Sequence, residues 1–158
     1  MKAKLLGSMS KYFGEDKKRI DHARKVLAYA EQIMEQEGGD REVVVAAAIL
    51  HDIGIQAAEK KYNSTAGKYQ QIEGPPIAEE ILRQYSFPRE KISEVLQIIG
   101  HHHSGGIYSI NFEILWDADW LVNLPEEIDL KDKVRLKKFV DKIFKTPTGK
   151  MMAAEMYL

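Results

Sequence analysis

Apolar residues in this chain recur three and four positions apart, and nowhere do they alternate with polar ones for the length of a strand. Between Asp16 and Gln36, the residues Ile20, Ala23, Leu27, Ala30 and Met34 line one face of a helix that Gly38-Gly39 ends. A second stripe of His22, Val26, Tyr29 and Ile33 runs beside the first, so this helix is buried over a wide arc with His22 inward near its start. Asp40 caps a following helix, Arg41 to about Ile53, in which Ala46-Ala47-Ala48 outweighs the β-prone Val43-Val44-Val45 and Gly54 supplies the stop. Ile55 to Glu73 lapses into polar residues and reads as an irregular or partly helical excursion. Gly74-Pro75-Pro76 then opens a helix with the stripe Ile77, Ile81, Leu82 and Tyr85. Three more helices are expected: Arg89 to about His103, Phe112 to Leu124 closed by Pro125, and Asp129 to Phe144 with Leu130, Val134, Val140 and Ile143 inward. A last one begins at Thr148. The expected fold is all-α, a single-domain multi-helix bundle over residues 1–158.

Composition narrows the chemistry. The 158 residues include no cysteine, which excludes disulfides, thiolate zinc sites, iron–sulfur clusters and thiol nucleophiles, and suits a cytoplasmic protein. A net charge of −1 gives no electrostatic case for a stable nucleic-acid complex or an anionic membrane, although both ends are basic and the centre is acidic. The longest apolar run, Val43 to Leu50, is far short of the ~20 residues of a membrane span, and Gly7 follows Met1 to Leu6 too early for a secretory leader.

All five histidines, at 22, 51, 101, 102 and 103, fall at the ends of expected helices that also carry an apolar face. His51-Asp52 follows Ala46 to Leu50, so an imidazole and a carboxylate stand at the end of a buried helix, a costly placement unless something compensates them. The partial negative charge of a helix C-terminus favours a cation there, and at a frayed last turn both side chains can reach one ion. Asp117 and Asp119 lie in Leu115-Trp116-Asp117-Ala118-Asp119-Trp120-Leu121, with Asp119 on the buried stripe. For Asp119 the plainer explanation is a carboxylate that caps or bridges neighbouring helices. Imidazole nitrogen with carboxylate oxygen suits iron, manganese, cobalt, nickel or zinc.

His22, the doublet His51-Asp52 inside Ala48 to Gly54, and Asp119 resemble the H…HD…D signature of the HD-domain superfamily of metal-dependent phosphohydrolases, and the helix order fits along nearly the whole chain. The resemblance implies His22, His51, Asp52 and Asp119 as ligands of one divalent ion. It also implies a small phosphorylated molecule or a nucleotide as substrate. Two-metal members carry a further histidine shortly before the glycine equivalent to Gly74, where this chain has Gln70-Gln71-Ile72-Glu73, so a complete second site is not expected. His101-His102 matches a histidine pair of the family. A lysine common directly after HD-x-G is replaced by Ile55-Gln56, which leaves Lys60, Lys61 and Lys68 as the nearest phosphate-binding candidates.

On this reading a water attacks phosphorus in line while Asp52 and Asp117 orient or deprotonate it, and His102 or His101 donates toward the leaving oxygen. Asp117 could equally fix the tautomer of a ligand imidazole. Two rivals stand beside the hydrolase: a non-catalytic metal-containing module that binds a nucleotide or partner, and a purely structural helical domain with an empty polar cluster. No nucleotide-binding glycine loop, zincin or nucleophile-elbow motif is present.

Overall fold

Asp16, Asp40, Ser109, Asp132 and Thr146 each accept a hydrogen bond from the backbone N–H three residues on. These N-caps start five helices: α2 (Lys17–Glu37), α3 (Arg41–Leu50), α7 (Ile110–Glu127), α8 (Lys133–Ile143) and α9 (Pro147–Tyr157). The remaining helices are α1 (Lys2–Phe13), α4 (Ile55–Tyr62), α5 (Gly67–Gln84) and α6 (Arg89–His101). The computed structural model describes all 158 residues, and it contains no strand. The all-α architecture follows from the three-and-four apolar spacing of the sequence.

Helix α3 is the axle. Every residue from Val43 to Leu50 is buried, because α1, α2, α6 and α7 pack around it. α2 also lies along α7, and α5 along α6. One apolar cluster joins residues from Leu5 in α1 to Ala153 in α9. The C-terminal end of α3 is thereby driven into the interior, and whatever side chains follow Leu50 must be accommodated there.

Several boundaries differ from the sequence expectation. α3 stops at Leu50 rather than Ile53, and the chain tightens into a turn in which Ile53 N donates to Leu50 O and Ile55 N to Asp52 O. The polar excursion is mostly helical: α4 fills its first half, and α5 begins at Gly67 and runs through Pro75 and Pro76. Those prolines remove two helix hydrogen bonds, but the helix is held from outside, since Gly74 seats directly on Gly54. A Cβ on Gly54 would lie 2.4 Å from Gly74 N. α7 likewise continues past Pro125. Proline has no N–H to return to Leu121 O, and the Tyr157 hydroxyl donates to that carbonyl instead, at 2.5 Å. Val134 is not inward but 71% exposed, because Leu136 and Val140, one turn apart, set the buried face of α8. Residues 2–13, read from the sequence only as a basic start, form α1 and bury Leu5, Met9 and Phe13. No helix is long and apolar enough to cross a membrane.

Candidate metal centre

The tight turn after α3 lets two neighbouring side chains face one point. His51 is buried, and its Nδ1 donates to Ala48 O at 2.8 Å, which fixes the neutral ring's proton on Nδ1 and leaves a lone pair on Nε2. That Nε2 faces Asp52 Oδ2 at 3.3 Å, Asp119 Oδ1 at 3.3 Å and His22 Nε2 at 3.2 Å. His22, from the second turn of α2, lies 3.1 Å from Asp119 Oδ1 and 3.3 Å from Asp52 Oδ2. Asp119 comes from the middle of α7 and is steadied by Asn123 Nδ2 at 3.1 Å. Four ligand-type atoms therefore stand about an ion's coordination edge apart: in a tetrahedron, such edges put each atom roughly 2 Å from the centre, an ordinary metal–nitrogen or metal–oxygen distance.

Acceptors that face acceptors repel unless a proton or cation lies among them. The charges respond accordingly. Burial alone would lower the His51 pKa, but Asp52 and Asp119 beside it raise it well above the usual imidazole range. Burial would raise Asp52, yet His51 and His102 hold it well below the usual carboxylate range. Asp119 is likewise held down, against burial, by His51 and His22. The cluster is built around shared positive charge, and a divalent ion would displace protons to take that place.

Asp52 has a second face. His102 Nδ1 donates to Ile99 O at 2.7 Å, so its Nε2 lone pair is aimed at Asp52 Oδ1, 3.2 Å away. His103 adds a ring nitrogen, and Asp52, His102 and His103 form a second group able to hold an ion. One carboxylate thus joins two groups of donors, His22–His51–Asp119 on one oxygen and His102–His103 on the other.

The chain matches the HD domain family over residues 19–143, a span that contains every one of these donors. It belongs to the HD domain family. Among solved structures, the crystal structure of a predicted HD superfamily hydrolase from an uncultured Thermotogales bacterium is similar, with a TM-score of 0.73 and 25% identity over 97% of this chain and 83% of that one. No curated protein matches.

In this HD domain the four residues expected as ligands, His22, His51, Asp52 and Asp119, meet at one point, as do Asp52 and His102 at a second. Other sequence expectations need correction. Asp117 is fully buried but turned away from the donors: it accepts from Lys145 N, Thr146 N and Thr146 Oγ1 at 2.9, 2.8 and 2.7 Å, tying α7 to the junction before α9. One residue either side of Ala118, the two aspartates diverge by roughly 200° around α7, so only Asp119 reaches the site. His101 belongs to neither donor group; its Nδ1 donates to Gln97 O on the exposed side of α6. The donor pair is instead His102 and His103, just past the end of α6 at His101, where the buried His102 ring packs against the exposed His103 ring.

The three lysines have neighbours other than the donor carboxylates. Lys61 is exposed and 3.6 Å from Glu73, and Lys68 sits 4.9 Å over the Tyr69 ring. Lys60 lines a shallow depression with Tyr12, Arg19 and Gln56. None pairs with Asp52 or Asp119. Three residues were given no role in the site from the sequence: His103, counted only among the helix-end histidines, Gln70 and Asn123. The helix expected to run to about His103 stops at His101, so periodicity misplaces His103, and Gln70 sat in the excursion read as irregular or partly helical; only Asn123, one turn after Asp119, could have been found from spacing.

Proposed function

We propose that this HD domain hydrolyses a phosphate ester of a small molecule or nucleotide in a metal-dependent reaction. The observation that carries the reading is Asp52, whose two oxygens face the Nε2 lone pairs of His51 and His102, each fixed by a backbone carbonyl. His22, His51, Asp52 and Asp119 would hold the ion, with iron, manganese, cobalt, nickel and zinc all suited to two imidazoles and two carboxylates. Bound there, a divalent ion lowers the pKa of a water and offsets charge developing on a phosphoryl oxygen.

The chain's own residues do the rest. Ala48 O and Ile99 O prevent either imidazole from turning, and Asn123 keeps Asp119 on its ligand oxygen. The side chains of His22 and Asp52 remain 18% and 16% exposed, which leaves the donor group open to an ester on that side. Asp52 and His102 are the groups placed to hold or pass a proton beside it.

The test is a phosphoester panel assayed with each ion supplied in turn. Metal-dependent turnover, lost in His51→Ala and Asp52→Ala while both variants keep wild-type circular dichroism, is the expected result. No turnover with any ion, or turnover indifferent to chelator, overturns it. One observation favours a second reading, a non-catalytic module that binds a nucleotide or partner: none of Lys60, Lys61 and Lys68 pairs with a donor carboxylate, Lys61 lying beside Glu73 and Lys68 over the Tyr69 ring. Calorimetric binding of a nucleotide to the metal-loaded protein without any turnover would decide for it.

A further inference from the structure

The first turn of α5 is polar because its amides are engaged with the turn that follows α6. Gln71 Oε1 accepts from His103 N, Ser104 N and Ser104 Oγ at 3.0, 3.0 and 3.1 Å. Gln70 is 5% exposed, and its Nε2 donates to Thr65 O at 2.6 Å. A carbonyl oxygen can only accept, so this amide cannot be turned over, and its Oε1 faces His103 Nε2 at 3.0 Å. An amide oxygen also only accepts. The proton of the neutral His103 ring therefore sits on Nε2, and Nδ1 is the nitrogen left with a lone pair.

The ring is fixed in place as well as in tautomer. It packs on Gly67, where a Cβ would lie 2.7 Å from His103 Cγ, and the His102 ring lies 4.0 Å away, centre to centre. His102 and His103 are thus held in opposite tautomers: Ile99 O puts the proton of one on Nδ1, and Gln70 puts the proton of the other on Nε2.

We infer that Gln70 is a positioning residue: by fixing the Nε2–H tautomer of His103 it leaves Nδ1 to serve, with Asp52 Oδ1 and His102 Nε2, a second cation. The inference rests on the proposed metal-dependent activity, and it assigns the sequence Gln70-Gln71 a role in the site rather than in the absence of one. Outer hydrogen bonds of this kind are typically worth about 10–100-fold in metal affinity.

The tautomer is read without metal, from long-range proton–nitrogen correlations of the histidine-labelled protein. His103 is expected as Nε2–H in the wild type, as a mixture in Gln70→Leu, and as Nε2–H again in Gln70→Glu, whose carboxylate still accepts. In a Mn²⁺ titration the wild type takes up two ions, and Gln70→Leu weakens only the second, by about 10–100-fold. Should Gln70→Leu fail to fold, the wild-type tautomer and the Gln70→Glu titration carry the test. A single Mn²⁺ per wild-type chain, an Nδ1–H tautomer at His103, or an unchanged second affinity in Gln70→Leu overturns the inference and leaves the proposed activity standing. No Mn²⁺ uptake at all by the wild type overturns the proposed activity itself.

Discussion

Asp117→Ala removes the acceptor of three hydrogen bonds at the start of α9, two from Thr146 and one from Lys145 N. Thr146 is 2% exposed, so its N–H has no water to turn to, and an orphaned buried donor costs about 1–3 kcal/mol. Its hydroxyl donates to Asp117 while accepting from Gly149 N at 2.9 Å; once free to rotate, it weakens the N-cap of α9, worth about 1 kcal/mol. Lys145 N is nearer the surface and regains water at smaller cost. The sum, about 2–4 kcal/mol, is a large share of the roughly 5–15 kcal/mol of a whole domain. For a chain of this size it lowers Tm by roughly 4–16 °C.

Asp117 also has a pH signature. Burial raises its pKa to about 6 in spite of the three donors. Between the unfolded value of 3.8 and about 6 the folded chain holds more protons than the unfolded one, so the wild type gains stability from this group as pH falls through that window. The gap between wild type and Asp117→Ala therefore widens from pH 7 to pH 5. Thermal unfolding followed by circular dichroism at both pH values, with a Mn²⁺ titration alongside, checks this. Lowered stability with unchanged affinity for the first ion is expected; wild-type stability with weakened metal binding would refute the structural role.

Gly54→Ala drives a Cβ to 2.4 Å from Gly74 N and 2.7 Å from Gly74 Cα, and neither backbone can yield without moving α5. It should cost about 3 kcal/mol in urea unfolding and displace Gln70 from His103, an effect absent if the two helices part freely. Burial, with the neighbouring His102, lowers the His103 pKa to about 4. Its stabilising contribution is complete above the ordinary imidazole value of 6.5 and is lost as pH falls toward 4; an NMR titration midpoint above 6 contradicts this placement. Tyr157→Phe leaves Leu121 O without a donor and should cost about 1 kcal/mol, less in a Pro125→Ala background where the helix N–H is restored, as a double-mutant cycle would reveal.

The elements most legible in the sequence were those in which one residue type carries the physics. Asp16 and Asp40 announce helix starts, the Ala23–Leu27–Ala30–Met34 stripe announces a buried face, and both appear as read. Buried imidazole and carboxylate next to each other at His51-Asp52 announced the donor group, because such a pair is intolerable in a core without compensation. The interval between Ile55 and Glu73 was opaque for the opposite reason: α4 and the first turn of α5 bury little apolar surface of their own, and Ile72 is 57% exposed.

The local pattern of the chain determined that it is helical, where most helices begin, and which polar side chains had to be buried, since propensity, capping and apolar period act over a few neighbouring residues. Only the packing of α3, α5, α6 and α7 decided that Asp119 rather than Asp117 faces the histidines, that His103 rather than His101 joins Asp52 and His102, and that Gln70 meets His103 across 33 residues. Those choices depend on how helices rotate about their axes and where turns aim, and such rotations are fixed by contacts between segments that the linear order keeps apart.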